Sequence, residues 1–210
     1  MRANLLPIAQ EGWKYIASTS AFLILFSLLD LDLLTLLTSL LLISFLYLFR
    51  NPERQLPMFE KLSVVAPSDG VVKAIVELQE SQYSYRIDIE SSCLDVAVLR
   101  APLSAKLESM TKYNGTRVSK DSKLFKDTNE NIVLVFVDEN ANRLKITHRL
   151  KQSFSPLFIE AIESQNLHQT ARYGLLLNGV TSIYLPNNFR LNVNVGTELK
   201  ASESLIGYFS

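Results

Sequence analysis

The sequence predicts a mainly β domain of the α+β class that follows an N-terminal transmembrane helical hairpin. The first observation is the stretch 15–49, in which the only charged residues are Asp30 and Asp32. An apolar stretch of this length is typical of a membrane segment rather than of a soluble core. The second observation is the region 64–210, where short apolar or alternating segments are separated by turn residues, as in domains built from many short strands.

Two helices fit the apolar stretch 15–49 better than one. A single helix of this length would be about 52 Å long, whereas the hydrocarbon core of a bilayer is about 30 Å thick. It would also place both aspartates near the bilayer centre, at about 2.5–3.5 kcal/mol each. We therefore expect helices at 15–29 and 33–49, joined by a turn at 30–32, with Asp32 as the N-cap of the second helix. A secretory signal peptide, the alternative, would be shorter and would end in an A-x-A-like cleavage site.

The charges that flank the hairpin predict its orientation. Arg2 and Lys14 precede it, and Arg50, Arg54 and Lys61 follow it, whereas the turn is acidic. Basic residues next to membrane segments remain in the cytoplasm. We therefore expect both ends of the hairpin on the cytoplasmic side of the cell (inner) membrane, and the β domain with them.

The chain is expected to have three parts. The first, 1–49, is the membrane anchor. The second, 50–63, is a juxtamembrane linker in which two prolines favour extended backbone. The third, 64–210, is long enough for one β domain of ordinary size. Such a domain on an anchor could bind, catalyse or serve as a scaffold.

Composition excludes several classes of function. The 21 basic and 21 acidic residues balance, so nucleic acid is not an expected partner. The single cysteine, Cys93, excludes an internal disulfide. No Cys/His cluster has the spacing of a metal site, so no metal is expected. His148 and His168 are the only histidines, which leaves few candidates for histidine-based catalysis.

The elements of the β domain are expected from local patterns. The segment 132–137 (IVLVFV) is apolar throughout, which is typical of a central strand, and 143–148 should pair with it. Ser155 and Pro156 have the character of an N-cap and a first helical residue, so a helix is expected to continue through 157–164. The remaining expected elements are a strand from 64 into a turn by 70, strands at 71–78, 83–89, 95–99, 107–113, 174–177, 182–185 and 189–195, and a closing hairpin at 196–207.

Five stretches, in order along nearly the whole chain, resemble the phosphatidylserine decarboxylase family. They are 50–54 (RNPER) after the apolar anchor, 66–70 (APSDG), 94–104 (LDVAVLRAPLS), 173–186 (from YGL to YLP) and the closing Val195-Gly196 hairpin. The resemblance implies the fold of that family and a role linked to phospholipid (phosphatidylethanolamine) biosynthesis.

The resemblance also implies a chemistry. Members of the family cut their own backbone before the serine of a Gly-Ser pair, with the help of an aspartate and a histidine. The serine becomes a pyruvoyl group, whose carbonyl forms a Schiff base with the substrate amine and accepts the electrons left by departing CO₂. No metal or added cofactor is implied.

Matched residue by residue, this chain keeps the aspartate and lacks the other two groups. The family's aspartate falls on Asp69, its histidine on Ala97, and its Gly-Ser pair on Gly179-Val180. Valine has no hydroxyl to attack the preceding carbonyl, and alanine can neither take nor give a proton. The resemblance therefore predicts an uncleaved chain with no cofactor, because the pyruvoyl group arises only by self-cleavage.

A displaced cleavage site is the alternative. The stretch after Gly179 is one residue shorter than in the family, so Thr181 or Ser182 could take the serine's place, and Ser182 would yield a true pyruvoyl group. A shift of one residue along a strand turns a side chain to the opposite face of the sheet, and Ala97 remains unreplaced. His148 is the histidine that could stand in for it.

Three functions follow from these observations. An uncleaved, membrane-anchored relative would act by binding membrane phospholipid, with phosphatidylserine as a candidate, or by binding another membrane enzyme of phospholipid synthesis or a second copy of itself. An active decarboxylase would convert phosphatidylserine to phosphatidylethanolamine through Ser182. An unrelated β scaffold would have no polar pocket around Asp69 and Gly179. The number of chains on a denaturing gel distinguishes the first two.

Overall fold

The computed structural model describes residues 6–54, 62–79 and 82–210. They belong to two compact units, Met1–Glu53 and Arg54–Ser210. The first unit is helical and the second is built mainly from strands. Residues 55–61 of the expected linker lie outside the described residues, as does Arg2 among the flanking charges.

The helical unit is a hairpin of α1 (Trp13–Leu28) and α2 (Asp32–Leu48), preceded by a 3-10 turn at Gln10–Gly12. Two helices were expected here, and both form within two residues of the expected bounds. The prediction that Asp32 is an N-cap is wrong, because Asp32 is the first helical residue and the N-cap, Leu31, makes no side-chain capping bond. Asp30 lies in the turn with a φ of 52°.

Aromatic rings pack the two helices together near their open end. The Tyr15 ring stacks on Phe49 with 5.3 Å between centroids, and lies 5.6 Å from Phe45. Most apolar side chains further along the hairpin are exposed, including Leu28 at 77%. Among the described residues, no helix is both long enough and apolar enough to cross a membrane.

The second unit contains, in its described part, fourteen strands and one short helix, α3 (Phe125–Thr128). The strands are β1 (Ser63–Val65), β2 (Gly70–Glu77), β3 (Tyr85–Ser91), β4 (Val98–Arg100), β5 (Ala105–Tyr113), β6 (Asn131–Val137), β7 (Arg143–Leu150), β8 (Phe158–Ile159), β9 (Asn166–Leu167), β10 (Arg172–Leu175), β11 (Gly179–Leu185), β12 (Phe189–Leu191), β13 (Glu198–Leu199) and β14 (Leu205–Phe209). The prediction of a mainly β domain with few helices is therefore confirmed.

The strands form one large sheet and two small ones. The large sheet has the order β13-β2-β3-β11-β7-β6-β5-β9, and its paired strands are antiparallel. The small sheets have the orders β1-β14-β12 and β4-β10-β8. The apolar strand β6 lies inside the large sheet and pairs with β7, as its sequence predicted.

One face of the large sheet carries the core. Successive side chains of a strand point to opposite faces, so every second residue of the central strands is buried here. Each fully buried Ile or Leu contributes about 1.5–3 kcal/mol to stability. The core members from the four central strands with no exposed surface are Ile87, Ile89, Leu134, Phe136, Leu144, Ile146, Leu150, Ile183 and Leu185.

Two local predictions are wrong. The segment 157–164 contains no helix, because Phe158–Ile159 pairs with β10 as the strand β8. The Glu160 amide also donates to the Tyr173 carbonyl at 2.8 Å, so an available strand edge overrides the local capping signal. The expected closing hairpin at 196–207 does not form either, since β13 pairs with β2 and β14 pairs with β1 and β12.

Candidate functional site

The strand β11 contains the positions that the sequence singled out. It pairs with β3 on one side and with β7 on the other, over almost its whole length. Thr181 is buried on the core face, whereas Val180 and Ser182 line a cleft on the outer face. Thr181 and Ser182, the two alternative cleavage residues, therefore lie in different environments.

Gly179 begins this strand where only a glycine fits. A Cβ at this position would lie 2.5 Å from the Arg149 carbonyl oxygen and 2.6 Å from Cδ1 of Leu176. The carbonyl belongs to the neighbouring strand β7 and cannot rotate away without breaking the ladder. The glycine of the candidate Gly179-Val180 pair is thus required by packing alone.

Replacing Gly179 by alanine is expected to lower the free energy of unfolding by about 1–3 kcal/mol, the usual range for overpacking. Urea denaturation followed by circular dichroism measures the difference. A variant within about 0.5 kcal/mol of the wild type, the range of a neutral surface substitution, would contradict the packing argument.

Asp69 is a structural anchor of the turn before β2. Its Oδ2 lies 2.6 Å from Nη2 of Arg54, and its Oδ1 accepts the Ala201 amide at 2.8 Å. Its backbone carbonyl accepts the Ser91 hydroxyl. Because Ser91 is the register partner of Gly179, this turn is tied to the start of β11. Both carboxylate oxygens of Asp69 therefore already have partners.

Ala97 lies beside the segment that leads into β11. It is buried, and its carbonyl accepts the Leu176 amide at 2.8 Å. Leu176 in turn packs against Gly179. Asp69 is thus linked to Gly179 through Ser91, and Ala97 is linked to it through Leu176, but Ala97 brings no functional group.

The core face holds a closed polar network around His148. The Nδ1 atom lies 2.9 Å from the Thr181 hydroxyl, and Nε2 lies 2.7 Å from the Tyr173 hydroxyl. All three side chains are buried. Burial lowers the pKa of His148 to about 3 and raises the pKa of Tyr173. The imidazole is therefore neutral, with one nitrogen donating and the other accepting, and the network joins β7, β10 and β11.

His148 is a candidate from its sequence, whereas nothing in the sequence marks Tyr173 as its partner. The alternation along 143–148 places His148 on the same face as Leu144 and Ile146, and this signal was available. Tyr173 lies on β10, which belongs to a different sheet. No local pattern indicates that contact.

The outer face presents Ser182 to a carboxylate. The Ser182 hydroxyl donates to Oδ1 of Asp88 at 2.6 Å, and Oδ2 of Asp88 lies 3.1 Å from Nη2 of Arg86. These groups line a cleft of about 700 Å³, to which Val180 and Tyr184 also contribute. Asp88 was not singled out from the sequence, although the alternation of 83–89 places it on one face with Arg86.

The described residues contain no group of three or more His, Cys, Asp or Glu side chains that could hold a metal ion. The functional groups described around β11 include hydroxyl, carboxylate, guanidinium, amine and imidazole groups. Of the sequence-predicted site residues, Val180 and Ser182 share the outer cleft, whereas Asp69 and Ala97 do not line it.

Comparisons with known proteins agree with the resemblance. A family model described as phosphatidylserine decarboxylase matches residues 41–207. The chain is 24% identical over 206 residues to a protein named phosphatidylserine decarboxylase proenzyme from Desulfotalea psychrophila, with 96% of each chain covered. Proteins of the same name are 29% identical over 213 residues in Geotalea daltonii and 30% identical over 217 residues in Geobacter sp. (strain M21), with 99% of each chain covered.

Proposed function

This chain belongs to the phosphatidylserine decarboxylase family, and from that membership we propose that it is an uncleaved member, a pseudoenzyme that binds membrane phospholipid instead of decarboxylating it. The family name connects it with phospholipid biosynthesis. The observation that carries the proposal is Val180, to which the resemblance assigns the position of the attacking serine, inside a strand that is paired on both sides.

The residues at the family's cleavage position do not fit a pyruvoyl group. Val180 has no hydroxyl from which that group could form, and buried Ala97 offers no acid or base beside the Leu176–Gly179 segment. The neighbouring hydroxyls are already engaged, Thr181 with His148 and Ser182 with Asp88. Val180 and Ala97, rather than the contacts of the two hydroxyls, support an uncleaved chain.

Membrane attachment through the helical hairpin is the second part of the proposal. Large contiguous apolar surfaces on a protein mark sites of interaction with membranes or other proteins. Lys14 lies over the Tyr15 ring and Arg50 over the Tyr47 ring, at 4.8 and 4.0 Å from the ring centroids. Basic and aromatic side chains at the open end suit the membrane interface and favour a cytoplasmic position for both ends. In this proposal the hairpin is embedded in the inner membrane.

A decarboxylase that is cut before Ser182 is the second candidate. The contact that favours it is the 2.6 Å hydrogen bond from the Ser182 hydroxyl to Asp88, which gives this serine a carboxylate as a potential proton acceptor. Only a cut at this position would create a pyruvoyl group, the group that accepts electrons from departing CO₂ in the family.

Intact-mass measurement of the membrane-purified protein tests both candidates. We expect one species that corresponds to the full 210 residues, and no release of CO₂ from phosphatidylserine. The Ser182→Ala variant should likewise give a single full-length species, lighter only by the hydroxyl oxygen. Two fragments, of which the smaller begins at 182 with a blocked N-terminus and disappears in Ser182→Ala, would refute the uncleaved state and establish the second candidate.

A further inference from the structure

The outer face of the large sheet carries a cleft that is strongly basic, and we call it the basic cleft. Its floor is formed by outward side chains of β2, β3, β7 and β11, and its wall by the loop around α3. Six basic side chains line it against two acidic ones, Asp88 and Glu90. The basic side chains are Lys73, Arg86, Lys120, Lys123, Lys126 and Arg149. This surplus of positive charge is local, because the whole chain has a formal net charge of zero.

The two acidic side chains are already occupied. Glu90 accepts from Lys120 at 2.6 Å and from Lys151 at 2.8 Å. Burial alone raises the pKa of Glu90, but the hydrogen bonds from these two lysines hold that pKa below its ordinary value. Asp88 is held by Arg86 and by the Ser182 hydroxyl. Neither carboxylate is therefore free to neutralise the remaining lysines.

Four of the basic groups have no salt bridge within the described part of the chain. No carboxylate oxygen there lies within 4.0 Å of the charged nitrogens of Lys73, Lys123, Lys126 or Arg149. Asp121 and Asp127 lie in the loop around α3, together with Lys123 and Lys126, but they do not line the cleft. These four cations come from three separate elements, so they lie close together because of the fold and not because they are neighbours in the sequence.

Two arginines that line the cleft each have a buried guanidinium nitrogen without an acceptor in the described part of the chain. The Nε atoms of Arg86 and Arg149 are buried without a hydrogen-bond partner among the described residues. A buried donor without an acceptor costs about 1–3 kcal/mol. Burial lowers the pKa of Arg149, a sign that its charge is partly desolvated. An anion in the cleft would supply a counter-charge for Arg149, which has no salt bridge among the described residues.

We propose that the basic cleft binds an anion that carries a phosphate monoester or diphosphate group and no amine. A phosphate monoester carries about 1.5–2 negative charges at neutral pH, and guanidinium forks match phosphate geometry. A headgroup with an ammonium group would bring a cation against the unpaired lysines. The inference deepens the proposed function and rests on it for the assignment of the phosphate to a lipid. A soluble phosphate compound is the alternative source of the phosphate.

Titration of inorganic pyrophosphate into the detergent-purified full chain tests the anion site. Lys123→Ala/Lys126→Ala removes two exposed lysines from the wall, and Lys73→Ala removes one from the opposite side. We expect the double variant to weaken pyrophosphate binding by at least about tenfold at low salt. The matched control, Lys106→Ala/Lys200→Ala, removes two exposed lysines that do not line the cleft and should bind like the wild type.

Vesicle binding identifies the source of the phosphate. Phosphatidylcholine vesicles are compared with the same vesicles containing a minor fraction of phosphatidic acid or of phosphatidylserine. Any hairpin insertion is common to all three, so the difference between vesicles is the readout. A gain with phosphatidic acid that is lost in Lys123→Ala/Lys126→Ala indicates a lipid headgroup. Pyrophosphate binding without that gain indicates a soluble ligand.

Several results would overturn the proposal. They are the absence of binding to both pyrophosphate and phosphatidic acid, equal weakening in the control variant, and equal gains with phosphatidylserine and phosphatidic acid. The proposed function fails on a different observation, the cleaved mass. A cleaved chain whose pyrophosphate binding depends on Lys123 and Lys126 would leave the cleft assignment standing.

Discussion

Acidification from pH 6.5 to about pH 5 is expected to lower the free energy of unfolding by about 2 kcal/mol through His148 alone. The folded-state pKa of His148 is about 3 against an ordinary value of 6.5, and burial is the cause. The unfolded chain takes up a proton below pH 6.5, whereas the folded chain does not. The stability contributed by the neutral imidazole is therefore complete above pH 6.5 and is lost as the pH falls toward 3, at about 1.4 kcal/mol per pH unit.

Urea unfolding at a series of pH values measures this loss, and two variants assign it. His148→Gln removes the titrating group while it keeps a hydrogen-bond donor and an acceptor. In a plot of its free energy of unfolding against pH, the slope that one proton contributes should therefore be missing. His168→Gln is the matched control, because His168 is exposed. A wild-type curve that runs parallel to the His148→Gln curve between pH 6.5 and about pH 4 would show that the imidazole is protonated in the folded protein.

Local periodicity accounts for much of the fold that the sequence predicted. The apolar segment 132–137 and the alternating segment 143–148 form neighbouring strands. A shift of one residue in their pairing would turn the apolar side chains away from the buried face, so the burial pattern specifies the register. The same alternation places His148 on the buried face. The break between the two apolar helices was predicted from the two aspartates, and the turn lies there, at Asp30.

Contacts between distant segments could not be predicted in this way. Ser182 and Asp88 are 94 positions apart, and only the register between β11 and β3 makes them neighbours. The expected helix at 157–164 failed for a related reason, since the edge of β10 gives Phe158–Ile159 partners that the local signal does not record. The resemblance did supply long-range information, because it grouped Asp69, Ala97 and Gly179 before any contact was known.

Asp69→Ala is expected to destabilise the protein by about 3–5 kcal/mol, the range for removing one partner of a buried ion pair. The variant would leave the Arg54 guanidinium, whose side chain is 8% exposed, without its 2.6 Å partner. It would also leave the Ala201 amide without an acceptor. Glu203, at 3.6 Å from Arg54, is more exposed and compensates only in part. Urea denaturation at neutral pH measures the loss.

A double-mutant cycle separates this structural role from a catalytic one. Arg54→Ala/Asp69→Ala removes both buried charges, so its loss of stability should be smaller than the sum of the two single losses. Asp69→Asn keeps an acceptor for the Ala201 amide and should lie between wild type and Asp69→Ala. If Asp69 acted in self-cleavage, these substitutions would change the intact mass of the chain. We expect the mass to change only by the difference between the original and the substituted side chains. The reason is that the two carboxylate oxygens contact Arg54 and Ala201, so neither is available to a scissile bond.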